Sequence, residues 1–242
     1  LMGFGPYEIV PAILVSELCS GLLAGLCHHA AGNVNFRPRN RDVLRVHRLF
    51  LHPVRYFANV RKSLPLHLKI ALLFGVCSAV GAAAAVCVAV RIPRFWLKLY
   101  IGVLVLSMGV LILVFYNRKL TFSFGKVTVM GLLASFNKGL SGGGYGPVVT
   151  AGQVLAGVEG KSAVGITSLA ESITCFVGVV LYLLMGSRVD WQLAPWIVLG
   201  AAASVPLSAK SVRLVSERKL KLAIAVVTML LGSVTIWQTL RS

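Results

Sequence analysis

The sequence predicts an all-α fold, namely a polytopic transmembrane helical bundle built from two homologous repeats. The first observation behind this prediction is composition, because 57% of the 242 residues are hydrophobic and 13% are charged. A soluble domain averages about 25% charged residues. The second observation is a series of long stretches with one charged residue or none, each able to cross roughly 30 Å of hydrocarbon. These stretches are 9–27, 70–90, 99–116, 162–187, 192–209 and 222–240.

The third observation is an internal repeat. The segments 3–17 and 157–171 are similar to each other, and each ends on a glutamate within an apolar helix. An ionisable side chain in a membrane span is costly and usually lines a pathway or a site. Duplicated membrane units with a site between their halves are typical of secondary transporters. Glu17 and Glu171 hold the same repeat position, so they are the first candidates for a functional role.

The first repeat is assigned to 1–120. Helices are predicted over 8–30, 66–90 and 95–116, with a loop over 37–65 that is rich in arginine. Membrane proteins concentrate basic residues in cytoplasmic loops, so this loop is predicted to be cytoplasmic. The same bias explains the net charge of +17 without a nucleic-acid partner. The loop also contains apolar residues, and it either lies on the anionic inner leaflet of the lipid bilayer or is simply solvated.

The second repeat is assigned to 121–242, and it begins with a glycine-rich segment over 127–157. Three consecutive glycines followed by Pro147 break any helix, so two half-helices are predicted, over 127–139 and 147–157. Broken backbone at membrane depth is tolerated only where protein or water satisfies its polar groups. The remaining helices are predicted over 161–186, 192–209 and 219–240, with a basic linker over 210–221.

The charge distribution favours a re-entrant hairpin for the glycine-rich segment 127–157. If this segment crossed the membrane, the basic linker 210–221 would lie outside; if it enters and returns, the linker lies inside with the 37–65 loop. The positive-inside rule favours the second arrangement. The two repeats then have opposite orientations, which is the inverted-repeat plan.

The glycine-rich break is a candidate oxyanion site. Half-helix N-termini present free N–H groups and a partial positive charge, and a lysine and a serine hydroxyl add further donors. Lys138 lies 12 residues beyond Lys126, which corresponds to a depth of roughly 18 Å along a helix. The alternative is a packing break with Lys138 extending to the interface. The predicted substrate-binding residues are Asn137, Lys138, Ser141, Gly142, Gly143, Gly144 and Gly146.

The two repeat-equivalent glutamates have two interpretations. In one, Glu17 and Glu171 accept and release protons and couple them to transport. In the other, each is a structural carboxylate bonded to a neighbouring hydroxyl, a backbone amide or Lys138. Repeat equivalence makes chance placement implausible, but it does not separate these interpretations.

The remaining chemistry-bearing residues predict no enzyme, metal site or cofactor. The five cysteines lie in apolar segments without a CxxC pair, as expected of small buried helix residues. His28 and His29 fall where the first helix leaves the membrane. No Ser/His/Asp or Cys/His arrangement is recognisable.

The repeat comparison also leads us to expect a segment before Leu1. The second copy follows the glycine-rich segment 127–157, whereas the first copy follows no such segment in this sequence. A counterpart with its own glycine-rich break would pack beside 140–147. Without it, the space beside Glu17 is expected to be open.

The motifs resemble the sulfite exporter TauE/SafE family of membrane anion transporters. The resemblance rests on Asn-Lys-Gly-Leu-Ser-Gly-Gly-Gly-Tyr-Gly-Pro over 137–147 and on the small and hydroxyl residues of 157–168. The helix exit over 28–36 is similar to the corresponding segment of the family. The resemblance covers the chain from Gly3 onward, apart from the first-half glycine-rich motif.

The family resemblance implies a transporter in the bacterial or archaeal plasma membrane. It implies a small anionic substrate, such as sulfite, thiosulfate or an organosulfonate. Proton coupling is a separate expectation that rests on the two glutamates. Two alternatives stay open, a non-transporting integral membrane protein and a passive anion channel. A non-transporting protein would need neither a buried lysine nor a broken helix. Anion flux measured with and without a pH gradient separates a proton-coupled carrier from a passive channel.

Overall fold

The computed structural model describes residues 6–38, 63–89, 94–118, 120–141, 145–184, 191 and 194–241, and within these residues it is all-helical. Most of the basic loop and the three central glycines, Gly142, Gly143 and Gly144, lie outside the described residues. The helices are α1 (Pro6–Ala30), α2 (Leu66–Ala89), α3 (Arg94–Val114), α4 (Phe124–Ser141), α5 (Tyr145–Leu155), α6 (Gly160–Leu184), α7 (Ala194–Leu214) and α8 (Glu217–Arg241).

Helix length and hydropathy confirm a multi-pass membrane protein. Four stretches of the described chain are long and apolar enough to cross a membrane: Pro11–Ala30, Gly160–Val180, Ala194–Leu214 and Glu217–Arg241. Helices α2 and α3 contain the shorter apolar stretches Leu66–Gly81 and Lys98–Val114. Large apolar side chains lie on the outer surface, as lipid-facing residues do; Trp196 is 74% exposed and Leu26 is 67% exposed.

One element differs clearly from its prediction. The sequence predicts a linker over 210–221, but α7 continues through Lys210 to Leu214 and α8 begins at Glu217. Basic side chains stabilise the negative end of a helix dipole, and Arg213 lies in the last turn of α7. The acidic Glu217 lies in the first turn of α8, where the dipole favours a negative charge. The connection is therefore two residues long, because the charges suit the helix ends.

Helices α4 and α5 lie side by side, and residues 142–144 between them lie outside the described residues. Helix α5 has Pro147 in its first turn, where a missing N–H is not needed. The chain then returns to its starting point, since a Cβ on Gly157 would lie 2.7 Å from the backbone nitrogen of Phe122. Gly157 has a φ of 88°, a conformation that glycine adopts readily. A Cβ on Gly152 would likewise lie 2.8 Å from the Cβ of Met130.

Helices of the first half of the chain pack largely against helices of the second half. Helix α1 packs against α6 and α7, α2 packs against α4 and α6, and α3 packs against α8. The buried core includes Ile70, Phe74, Ile112, Val127 and Ile166, from helices of both halves.

Small residues allow the closest of these helix crossings. A Cβ on Gly232 of α8 would lie 2.5 Å from the backbone nitrogen of Leu106 in α3. At Gly81 of α2, a Cβ would lie 2.8 Å from the backbone nitrogen of Phe136 in α4.

Candidate functional site

Lys138 forms the centre of an ion cluster inside the bundle. It lies near the C-terminal end of α4 and is 9% exposed. Its Nζ is 3.3 Å from Oε2 of Glu17 and 3.2 Å from Oε1 of Glu171. The two repeat-equivalent carboxylates therefore bind the same ammonium group, each from a different helix.

Helix register explains why both carboxylates reach one lysine. Helices α1 and α6 are each 25 residues long. Counting from their first residues, Pro6 and Gly160, the glutamate is the twelfth residue of both. The helices also approach closely one turn beyond Glu17, because a Cβ on Gly21 would lie 2.7 Å from the carbonyl oxygen of Ser168.

Cys175 completes the cluster. It lies one turn beyond Glu171 on α6 and is fully buried. Its thiol donates to Oε2 of Glu17 over 3.1 Å, and Nζ of Lys138 is 3.7 Å from Sγ. Sequence reasoning assigned Cys175 only to helix packing. The spacing of four residues from Glu171 does place both on one helix face, and this is the signal that could have found it.

A cleft of about 180 Å³ opens beside the two carboxylates. It lies between α1, α6 and α7, next to Glu17. Glu17 and Glu171 side chains are 37% and 28% exposed, against 10% for Lys138. The cleft is lined by Glu17, Ser20, Gly21, Ala24, Ser168, Glu171, Ala201, Ser204 and Val205. The carboxylates thus face the cleft, and the lysine lies behind them.

The hydroxyl groups near the cluster bond to backbone rather than to the carboxylates. Ser168 donates to the carbonyl of Val164 over 3.1 Å, and Ser172 donates to that of Leu169 over 2.7 Å. Such back-bonding is common for hydroxyls in membrane helices. Among the described residues, Lys138 and Cys175 are the side chains that donate to these carboxylates.

The charges of the cluster do not cancel. Two carboxylates and one ammonium leave one negative unit when all three are ionised. A buried charge is tolerated where it is paired and hydrogen-bonded, and a carboxylate that loses its partner is destabilised unless it takes up a proton.

The other predicted binding residues are placed as follows. Asn137 is fully buried in α4, and Ser141 is the last residue of that helix. Gly146 lies in the first turn of α5, the end that carries unpaired N–H groups. Among the described residues, a Cβ placed there would meet nothing within 4 Å.

A second polar network joins α5 to α6. Gln153 is fully buried and donates through Nε2 to Oγ1 of Thr167 over 2.8 Å. The hydroxyls of Thr150 and Thr167 are 3.0 Å apart. Thr167 lies one turn before Glu171, so this network continues the polar surface of α6 away from the ion cluster.

Asn33 ties together the membrane exits of three helices. Its Nδ2 donates to Nδ1 of His28 over 2.9 Å and to the carbonyl oxygen of Ala209 in α7 over 3.0 Å. The Ser162 hydroxyl of α6 donates to the backbone oxygen of Asn33 over 3.1 Å. Of the two histidines at the end of α1, His28 is the buried one; it is 2% exposed and is bonded to Asn33.

These features define a helical membrane protein with a buried, cleft-facing ion cluster. The chain belongs to the sulfite exporter TauE/SafE family, whose profile matches residues 50–235. That range includes Lys138, Glu171 and Cys175, and it begins after Glu17. No curated protein and no solved structure gives a significant match to the chain.

Proposed function

We propose that the protein is a secondary transporter that moves a small sulfur-containing oxyanion, such as sulfite or an organosulfonate, across the bacterial or archaeal plasma membrane. Family membership supports an exporter of anions. The observation that carries the proposal is Lys138, whose Nζ lies 3.3 Å from Glu17 and 3.2 Å from Glu171 beside a cleft. An anion that leaves water for an interior of low dielectric needs such a donor already in place.

Anion binding follows as competition for the lysine. In the empty carrier both carboxylates occupy Lys138. An entering oxyanion replaces one of them, and the first turn of α5 at Gly146 offers further N–H donors. Asn137 and Ser141 lie on the same half-helix as Lys138, which is why we keep them in the proposed binding set with the central glycines.

Proton coupling follows from charge balance. A released carboxylate beside a bound anion is repelled by it, and protonation removes that repulsion. Adding one monoanion and one proton leaves the net charge of the cluster unchanged. The carrier therefore takes up a proton together with a monovalent anion and releases both on the other side.

The helix packing supports an inverted repeat around this site. Under repeat equivalence α1 corresponds to α6, α2 to α7 and α3 to α8. If each helix is replaced by its counterpart, the contact between α1 and α7 becomes a contact between α6 and α2. Both contacts are present. The side-by-side arrangement of α4 and α5 supports a re-entrant hairpin, which places α6 in the orientation opposite to α1.

The test is sulfite uptake by proteoliposomes that contain the protein or its Lys138→Met variant. We expect the substitution to abolish uptake, because the anion loses the full positive charge that Lys138 supplies. Lys126→Met is the matched control, since Lys126 lies on the same helix but is exposed, and we expect uptake close to that of the unsubstituted protein.

Folding must be checked in parallel, because removing one partner of a buried ion pair costs about 3–5 kcal/mol. If Lys138→Met does not elute as a monodisperse protein, the double variant Lys138→Met with Glu17→Gln takes its place in the test. Its cluster keeps a single carboxylate, Glu171, which is neutral when protonated. Normal uptake by a folded Lys138→Met protein contradicts the proposed site. Uptake that ignores an imposed pH gradient indicates a passive channel, and no uptake of any sulfur oxyanion by the unsubstituted protein indicates a non-transporting role.

A further inference from the structure

We propose that Cys175 gives the two repeat-equivalent glutamates different roles, with Glu17 as the fixed counter-ion of Lys138 and Glu171 as the carboxylate that takes the coupling proton. This inference rests on the proposed function for its meaning in transport. The division of roles is itself a property of the cluster, so it can be measured without transport.

Two hydrogen-bond donors converge on one oxygen of Glu17. Oε2 of Glu17 accepts from Nζ of Lys138 over 3.3 Å and from the thiol of Cys175 over 3.1 Å. A carboxylate oxygen accepts such bonds more strongly than the carbonyl oxygen of a neutral carboxyl group does. Donors that bond to a carboxylate stabilise its charged state relative to its neutral state.

Glu171 lacks the second donor. Its Oε1 accepts from Nζ of Lys138 over 3.2 Å, and among the described residues no thiol or hydroxyl donates to it. Cys175 lies on the same helix one turn away, yet its thiol bonds across the interface to Glu17. The thiol therefore breaks the symmetry that the repeats would otherwise impose on the two carboxylates.

The groups that face the cluster from the neighbouring helices do not alter this balance. Helix α7 contributes Ser204, whose hydroxyl donates to the carbonyl of Ala201. Ser78 of α2 accepts a hydrogen bond from Thr174, the residue before Cys175 in α6, over 2.7 Å. In the part of the chain that the structure describes, the ionisable groups of the cluster are Glu17, Lys138, Glu171 and Cys175.

The exchange step then has a defined order. Glu171 takes one proton from water in the cleft and releases Lys138, and the anion binds in its place. Glu17 stays ionised and bonded to Cys175 throughout. The cluster carries one net negative charge before and after the step, and Cys175 acts as a positioning residue that never contacts the reacting proton.

Sulfite uptake under an imposed pH gradient, divided by uptake without one, tests these roles. We expect the gradient to accelerate the unsubstituted protein and Glu17→Gln, and to have no effect on Glu171→Gln. The decisive pair is built on Glu171→Gln. Adding Cys175→Ala frees Glu17 to take the proton and should restore part of the acceleration, whereas adding Cys175→Ser keeps a donor and should restore none.

A second readout needs no transport. Infrared spectra of the protein in lipid, recorded without sulfite as the pH falls, follow the C=O band of protonated carboxyl groups. We expect the C=O band that appears first as the pH falls to be absent in Glu171→Gln and present in Glu17→Gln. The opposite assignment, or equal behaviour of the Cys175→Ala and Cys175→Ser double variants, overturns the inference. Absence of sulfite uptake with the expected infrared result instead overturns the proposed function and leaves the division of roles standing.

Discussion

At the scale of single residues, the burial of Lys138 was predictable, whereas its pairing with the two glutamates was only one of several alternatives. Lys138 lies far from the nearest basic flank, and the observed helix over Phe124–Ser141 preserves the spacing that placed it inside the bundle. Its contacts with Glu17 and Glu171 join residues from three helices. Such contacts depend on helix packing, which no local pattern specifies.

Cys175 shows the same limit more sharply. In the sequence it is one of five cysteines in apolar segments, and burial as a small residue is the common case. Only the crossing of α1 and α6 brings its thiol to 3.1 Å from Glu17. The site was predicted from the Gly-Gly-Gly run, and Cys175 lies outside that motif.

Asn33 leads to a prediction about stability. Asn33→Ala removes the Nδ2 donor and leaves buried acceptors on His28 and Ala209 without it, and such losses cost about 1–3 kcal/mol. Asn35→Ala is the control, because its side chain is exposed and its Oδ1 accepts from the nearby backbone of Arg37. Thermal unfolding in detergent should show a lower midpoint for Asn33→Ala and almost no change for Asn35→Ala. Equal midpoints for the two variants would show that the Asn33 bonds do not tie α1 to α7.

At the scale of helices, most boundaries were predictable because apolar runs end at glycine, proline or charge. Helix α6 was predicted over 161–186 and is observed over Gly160–Leu184. The exception is α7, which was predicted to stop before Lys210 but continues to Leu214. Charge was taken as the end of the helix there, whereas basic side chains suit a helix C-terminus. Charge marks the end of a membrane span better than the end of a helix.

The approach of α1 to α6 sets the geometry of the ion cluster, and Gly21 makes it possible. Gly21→Ala would place a Cβ 2.7 Å from the backbone oxygen of Ser168, and backbone cannot move aside as a flexible side chain does. We expect the helices to separate, with a cost of about 1–3 kcal/mol from overpacking and a loss of sulfite uptake as Glu17 moves away from Lys138.

Gly25→Ala is the matched control for that variant. It lies one turn further along the same interface, but its Cβ would be 3.4 Å from the side chain of Leu169, which is ordinary contact. Uptake and the thermal midpoint should both fall in Gly21→Ala and stay near their original values in Gly25→Ala. If both variants retain uptake, the spacing of α1 and α6 does not control the cluster.

At the scale of the whole molecule, the two halves meet where their glutamates meet. Helices α3 and α8 pair on one side, α1 and α6 pair on the other, and α4 delivers Lys138 between the latter. The repeat in the sequence predicts that equivalent residues lie near a common axis, but it does not predict which single cation they share. That cation comes from the glycine-rich segment, which in this sequence occurs in the second half alone.

The orientation of the halves in the membrane can be tested by labelling. Arg37 follows α1 and Arg213 lies at the end of α7; both are exposed. If α4 and α5 form a re-entrant hairpin, the chain ends up on its original side before α6, and both arginines lie in the cytoplasm as the positive-inside rule favours. Cysteines introduced as Arg37→Cys and Arg213→Cys, with the five native cysteines changed to serine, should then react with a membrane-impermeant maleimide only in inside-out vesicles. Trp191→Cys, at a 70% exposed position between α6 and α7, should react only in intact cells. Reaction of Arg37→Cys and Arg213→Cys from opposite faces would mean that the α4–α5 segment crosses the bilayer, and the two halves would then share one orientation.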